Sequence, residues 1–143
     1  MKNIISKFAL PVAILSSLYL LFSGSLFAVN LSLAVQVLAA AVMIWARHSF
    51  MPGAFNIHAE PKEGPLISSG PYKFIRHPMY SSVLVIIWTG ILNHFSALNL
   101  GIAVFVTVVV YIRVITEEQY LRAHYPSYLD YSRDTKLIIP FII

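Results

Sequence analysis

Two short runs of ionisable residues stand out in an otherwise apolar chain. The first is Gly70-Pro71-Tyr72-Lys73-Phe74-Ile75-Arg76-His77-Pro78-Met79-Tyr80, at the mouth of a hydrophobic stretch. The second is Arg113-Val114-Ile115-Thr116-Glu117-Glu118, at the end of the next one. Ionisable groups beside hydrocarbon are costly, so this concentration at two neighbouring edges reads as a site. Arg113 and Glu117 are four apart and share a helix face, with Glu118 turned roughly 100° away. Adjacent acids run against the preference of a helix C-terminus for cations. Carboxylates there suit an ammonium or a hydroxyl-rich ligand. Arg76 and His77 precede Pro78, which opens a helix without losing a hydrogen bond. The free N–H groups and the dipole of that helix start favour an anion such as a carboxylate. A basic cluster facing an acidic one would together bind a zwitterion. The plainer alternative makes Lys73 and Arg76 headgroup contacts, Tyr72 and Tyr80 members of an aromatic belt, and Arg113–Glu117 an ordinary helix pair.

The elements that must position these groups are membrane spans. Of 143 residues, 58% are hydrophobic and 11% charged. The expected fold is all-α, a polytopic membrane helical bundle of about four transmembrane helices with a cytoplasmic C-terminal helical segment. The four apolar stretches run approximately over 8–28, 31–46, 79–92 and 98–112. The first is long enough for a bilayer core of ~30 Å, whereas the second and third need interfacial extension, local thinning or supporting neighbours. The first is read as an anchor in a tight hairpin with the second, not as a cleaved leader.

Charge sets the orientation. Lys2 and Lys7 precede the first span, Arg47, Lys62, Lys73 and Arg76 lie between the second and third, and Arg113, Arg122, Arg133 and Lys136 follow the fourth. The turns near Asn30 and Asn93-His94 carry no charge, so both termini are expected in the cytoplasm. The chain reads as a single membrane domain. It comprises an N-terminal helical hairpin (1–47), a cytoplasmic loop (48–69) broken by Pro and Gly, and a core (70–143). The loop is either a lid or a connector. The absence of Cys removes disulfides and thiolate chemistry. The net charge of +4 is no sign of nucleic-acid binding, because the basic residues flank apolar spans instead of forming a solvated face. No metal site is expected. After Glu118, a juxtamembrane helix, a break at Pro126 and a short second helix are expected along the surface, with Tyr120, Tyr125, Tyr128 and Tyr131 as anchors or pocket caps.

These residues resemble a known family. Gly70-Pro71-Tyr72 with Arg76-His77-Pro78-Met79-Tyr80 is similar to the G-P-Y…R-H-P-x-Y signature of the isoprenylcysteine carboxyl methyltransferase and phospholipid methyltransferase superfamily. Glu117-Glu118, Tyr125, Tyr128, Tyr131 and Pro140 resemble its E-E…F-G…Y…Y…P ending, so the likeness covers about residues 64–141. The chain departs from the pattern in three places. Ser81-Ser82-Val83 stands where Gly is frequent, Tyr125-Pro126 replaces F-G, and the Gly-x-Gly of the phospholipid branch is missing.

The resemblance implies an integral-membrane enzyme that uses S-adenosylmethionine at the cytoplasmic face. By motif position, His77, Tyr80, Glu117 and Glu118 would line the cofactor site, with Arg76 and Arg113 near the reacting substrate group. The acceptor would be a lipophilic small molecule or lipidated substrate entering from the bilayer, most like the isoprenylcysteine carboxylate. A bacterial member would lie in the inner membrane. A carboxylate acceptor is already ionised, whereas an amine would need His77 or a Glu as base. Two rivals share the scaffold: an NADPH-dependent membrane reductase of the sterol reductase type, and a non-catalytic membrane protein. The Glu117-Glu118 pair and the short chain favour the methyltransferase.

Overall fold

The computed structural model describes residues 2–27, 31–50 and 65–138. The Asn30 turn, the middle of the 48–69 loop, and Pro140 and Phe141 of the family-like ending lie outside them. Among the described residues the chain is helical, in the order α1 (Lys2–Phe22), α2 (Leu31–His48), α3 (Pro78–Asn93), α4 (Ala97–His124) and α5 (Tyr128–Asp134), with one turn of 3-10 helix at Gly70–Lys73. One isolated backbone bridge, between Ile75 and Lys136, completes it. Two helices are long and apolar enough to cross a bilayer, α2 and α4, while Pro11–Phe22 and Pro78–Asn93 are shorter apolar helices.

The stretch expected as one apolar span over 8–28 is not helical to its end. Helix α1 stops at Phe22, and Gly24 adopts a positive φ of 71° that turns the chain back. The returning segment wedges against α3. The Leu26 carbonyl lies so close to Gly90 that any Cβ there would collide with it. Gln36 of α2 locks this junction, donating its Nε2 to Leu26 O at 2.8 Å and to Ile86 O at 2.9 Å. Those are satisfied bonds for a side chain only 5% exposed.

Helix α2 packs on α3, α1 on α4, and α3 on α4. The core lies where α1, α3 and α4 meet and contains Leu20, Ile87, Ile91, Val106, Val110 and Val114. Outward faces are also apolar: Leu33, Val37, Leu38 and Ile44 on α2 and Val104, Phe105 and Val108 on α4 are exposed. An apolar exterior around an apolar core is the pattern of helices solvated by lipid.

Helix α4 is the element that delivers the acids. Ser96 caps its start, its hydroxyl accepting from the Asn99 N–H at 3.1 Å. The helix then runs unbroken for 28 residues to His124, so the expected juxtamembrane helix is its own continuation. At 1.5 Å per residue it spans roughly 42 Å, longer than the ~30 Å hydrocarbon core. Its apolar part, residues 97–112, accounts for roughly 24 Å of that length, and Arg113, Glu117 and Glu118 follow on its last turns. Pro126 lies between α4 and α5, as the sequence predicts.

Candidate functional site

The first cluster is shaped by backbone constraints. Gly70 has φ of 60° and sits against Ser49 and Trp45 of the α2 end, where a side chain would clash. The following 3-10 turn buries Pro71 and Tyr72. Pro78 opens α3, with His77 as its N-cap. Between them, residues 74–77 pair with residues 136–137. Lys136 N–H donates to Phe74 O at 3.0 Å, Arg76 N–H to Lys136 O at 2.8 Å and His77 N–H to Leu137 O at 3.2 Å. Ser81 Oγ adds a bond to Ile138 O. Residues 135–138 therefore form a strap across the start of α3. It engages the N–H groups of Arg76 and His77, which are therefore not free for the anion expected from sequence.

The side chains close two linked networks. Around Glu118, Oε1 accepts from Tyr128 Oη at 2.6 Å, from His77 Nε2 at 2.9 Å and from Arg76 Nε at 3.1 Å. Arg76 Nη1 reaches on to Ser132 O and Thr135 O, both at 2.6 Å, holding the strap. Glu118 Oε2 is buried with no hydrogen-bond partner and faces Arg122 Nη2 at 3.6 Å. Around Glu117, Oε1 accepts from Tyr80 Oη at 2.6 Å, and Arg113 Nη2 lies 3.5 Å away. Arg113 Nε also donates to Tyr80 Oη at 3.0 Å. His77 joins the two networks, its Nδ1 lying 3.5 Å from Glu117 Oε2.

Burial opposes charge on His77, but the hydrogen bonds and charges of Glu117 and Glu118 outweigh it and raise its pKa above 6.5. Held between two carboxylates, the ring favours the imidazolium, with both nitrogens donating. Burial pushes the phenols of Tyr72 and Tyr128 well up, with Glu117 reinforcing the first and Glu118 the second. Burial likewise pushes Tyr131 up to about 12. These phenols stay protonated, and those of Tyr128 and Tyr131 donate, to Glu118 Oε1 and Tyr72 O respectively.

An apolar cavity of about 380 Å³ opens between α1, α3 and α4. Its walls include Leu18, Leu21, Val83, Ile87, Val106 and Val110, and its polar lining includes Tyr80 and Arg113. Arg76 is not in that lining.

All six residues expected from sequence, Arg76, His77, Tyr80, Arg113, Glu117 and Glu118, are joined in this one cluster. Arg76 is engaged with the strap, while Arg113 stands at the cavity. Sequence reasoning placed Tyr128 in the family-like ending without a role at Glu118, and did not single out Arg122 or the Ser132 and Thr135 carbonyls. Tyr128 was read with its neighbours as an anchor or cap, yet it is fully buried on Glu118. The signal available was its position just past the Pro126 break, where the chain turns back on α4.

Over 80 residues, 55% of this chain, the sequence is 29% identical to the cobalt-zinc-cadmium resistance protein CzcN of Cupriavidus metallidurans. That alignment spans 37% of the relative's length, so the chain covers well under two thirds of it. No solved structure matches. The family comparison covers far more of the molecule, running from α1 through the whole HPxY and Glu-Glu cluster to the start of α5. Over residues 18–127 the chain matches the phospholipid methyltransferase family, and it belongs to that family.

Proposed function

We propose that the protein is a membrane methyltransferase that moves a methyl group from S-adenosylmethionine to a lipophilic acceptor at the cytoplasmic face. The acceptor most like this site is the carboxylate of an isoprenylcysteine. One observation carries the reading: an apolar cavity of about 380 Å³ between membrane-type helices meets Arg113 and Tyr80, which are hydrogen-bonded to each other, and Tyr80 is hydrogen-bonded to Glu117 of the acidic pair. Such a cavity takes a hydrocarbon tail, and its polar residues orient a head group.

The donor set also fits the cofactor. Glu118 presents a buried carboxylate oxygen without a hydrogen-bond partner, suited to a hydroxyl or ammonium donor. When bound, S-adenosylmethionine supplies an electrophilic methyl on a cationic sulfur. Glu118, Glu117, His77 and Tyr80 would hold it from the carboxylate side of the cluster. Arg113 would orient an anionic acceptor head at the cavity. The apolar walls exclude water and keep the tail aligned, which is the main demand of a transfer that needs no metal. An ionised carboxylate requires no base. Arg76, bound to Ser132 O of α5 and Thr135 O of the strap, would keep the C-terminal segment closed over the cofactor side.

The same reading makes α1 to α4 the four membrane-crossing helices of a single multi-pass domain. The length of α4 and the wholly one-sided basic residues support it, with both termini cytoplasmic and, in a bacterium, an inner-membrane location. The test is calorimetric binding of S-adenosylmethionine, with NADPH as comparison, to detergent-purified protein. Binding in the micromolar range that is lost in Glu118→Ala supports the reading. Binding of NADPH alone would replace it with a reductase.

A further inference from the structure

Three donors converge on one oxygen of Glu118 while the other is left without a hydrogen bond. Oε1 accepts from Tyr128 Oη, His77 Nε2 and Arg76 Nε at 2.6, 2.9 and 3.1 Å. Oε2 is buried and unbonded, facing Arg122 Nη2 at 3.6 Å. An ionised carboxylate has about four lone-pair sites. A buried acceptor without a hydrogen bond is costly, and the ion-pair contact with half-exposed Arg122 offsets that cost only in part.

Two of the three donors have other duties. Arg76 ties down the strap through Ser132 O and Thr135 O, and His77 is shared with Glu117. Tyr128 Oη makes the shortest of the three bonds, from a ring that is 0% exposed. We propose that Tyr128 is a positioning residue: by donating to Oε1 it holds the Glu118 carboxylate in the orientation that presents Oε2 to a hydroxyl or ammonium donor of S-adenosylmethionine. The role rests on the cofactor reading above. Arg122, whose side chain is 54% exposed, pairs with Oε2 at 3.6 Å, and a half-exposed ion pair costs little to exchange for a ligand donor.

The neighbouring Tyr131 supplies a control. Its ring centroid lies 5.6 Å from that of Tyr128, but its hydroxyl donates to Tyr72 O and not to Glu118. Replacing either Tyr by Phe keeps the ring and removes one hydroxyl.

The experiment is calorimetry of S-adenosylmethionine and S-adenosylhomocysteine binding to the full chain in detergent. The proteins are wild type, Tyr128→Phe, Glu118→Gln, the double variant and Tyr131→Phe, each with its thermal midpoint. Tyr128→Phe should weaken both ligands about tenfold, the scale of one well-aimed hydrogen bond. It should raise KM for S-adenosylmethionine without changing KM for the acceptor. In the Glu118→Gln background it should cause no further loss, because it acts through that carboxylate. Tyr131→Phe should bind as wild type does. Wild-type affinity in Tyr128→Phe, losses that multiply in the double variant, or failure of Tyr128→Phe to fold would each overturn the positioning role. A wild-type protein that bound neither ligand would overturn the cofactor reading, and this role with it.

Discussion

Arg113 Nε donates to the Tyr80 hydroxyl at 3.0 Å, and that hydroxyl donates onward to Glu117 Oε1 at 2.6 Å. The relay joins α4 to α3 beside the apolar cavity. It also fixes the direction of the Tyr80 hydroxyl, since an oxygen that accepts from a guanidinium turns its own proton to the carboxylate. The Arg113 head is thereby held rigid before any acceptor arrives, which lowers the entropy cost of orienting one.

Arg113 should accordingly govern the acceptor more than the cofactor. Arg113→Lys keeps the charge but loses the planar fork. The expected outcome is a fall in kcat/KM for an anionic lipophilic acceptor of about 100-fold, or ~2.7 kcal/mol of transition-state stabilisation. Affinity for S-adenosylhomocysteine should change less than threefold, about 0.7 kcal/mol. Steady-state kinetics with calorimetry measures both. Equal losses in the two would mean that Arg113 supports the cluster as a whole.

Arg76 should behave differently, because its Nη1 donates to Ser132 O of α5 and to Thr135 O at the start of the strap. Arg76→Gln removes those bonds and the contact with Glu118. Breaking a buried, charge-assisted network costs about 3–5 kcal/mol. A clear drop in thermal midpoint is expected, together with faster proteolysis in the segment after Asp134. A variant as stable and as protease-resistant as wild type would show that the strap is held by other contacts.

His77 should make stability depend on pH. Its pKa in the folded chain lies above the 6.5 of a free imidazole. The stabilisation from its imidazolium is therefore complete below about pH 6.5 and is lost as pH rises through the raised value. Thermal midpoints in detergent should fall as the buffer is taken upward from pH 6.5, and His77→Gln should flatten that trend. A midpoint equally flat in both proteins would show that the ring is neutral in the folded state.

The far end of the bundle should be separable from the site. Gly90→Ala drives a methyl group into the Leu26 carbonyl, an overpacking that costs roughly 1–3 kcal/mol. Stability should fall by that amount while S-adenosylhomocysteine affinity is retained in the folded fraction. Loss of affinity at temperatures where the variant is fully folded would link the two ends of the bundle.

The sequence was most legible where chemistry and helix geometry coincide. Pro78 as the first residue of α3, the four-residue offset of Arg113 and Glu117, and the break at Pro126 are local features, and each appears where the spacing predicts. Features that depend on distant packing were not legible. The end of α1 at Phe22 follows from a turn at Gly24 and a carbonyl wedged against Gly90, although the residues themselves read as one apolar run. The strap depends on pairing between segments sixty residues apart, Ile75 with Lys136, which no local pattern encodes. Tyr128 read as an anchor or cap alongside Tyr120, Tyr125 and Tyr131, and its role at the site follows from its burial on Glu118.

The central claim is methyl transfer to a lipophilic carboxylate. The most direct measurement is the transfer of labelled methyl from S-adenosylmethionine by the purified protein in lipid nanodiscs. The acceptors offered would be an S-prenylated cysteine with a free carboxylate, its methyl ester, and phosphatidylethanolamine. The account predicts base-labile labelling of the free carboxylate alone, abolished by Glu118→Ala and strongly reduced by Arg113→Lys. Labelling of phosphatidylethanolamine, or of the blocked ester as readily as the free acid, would contradict it.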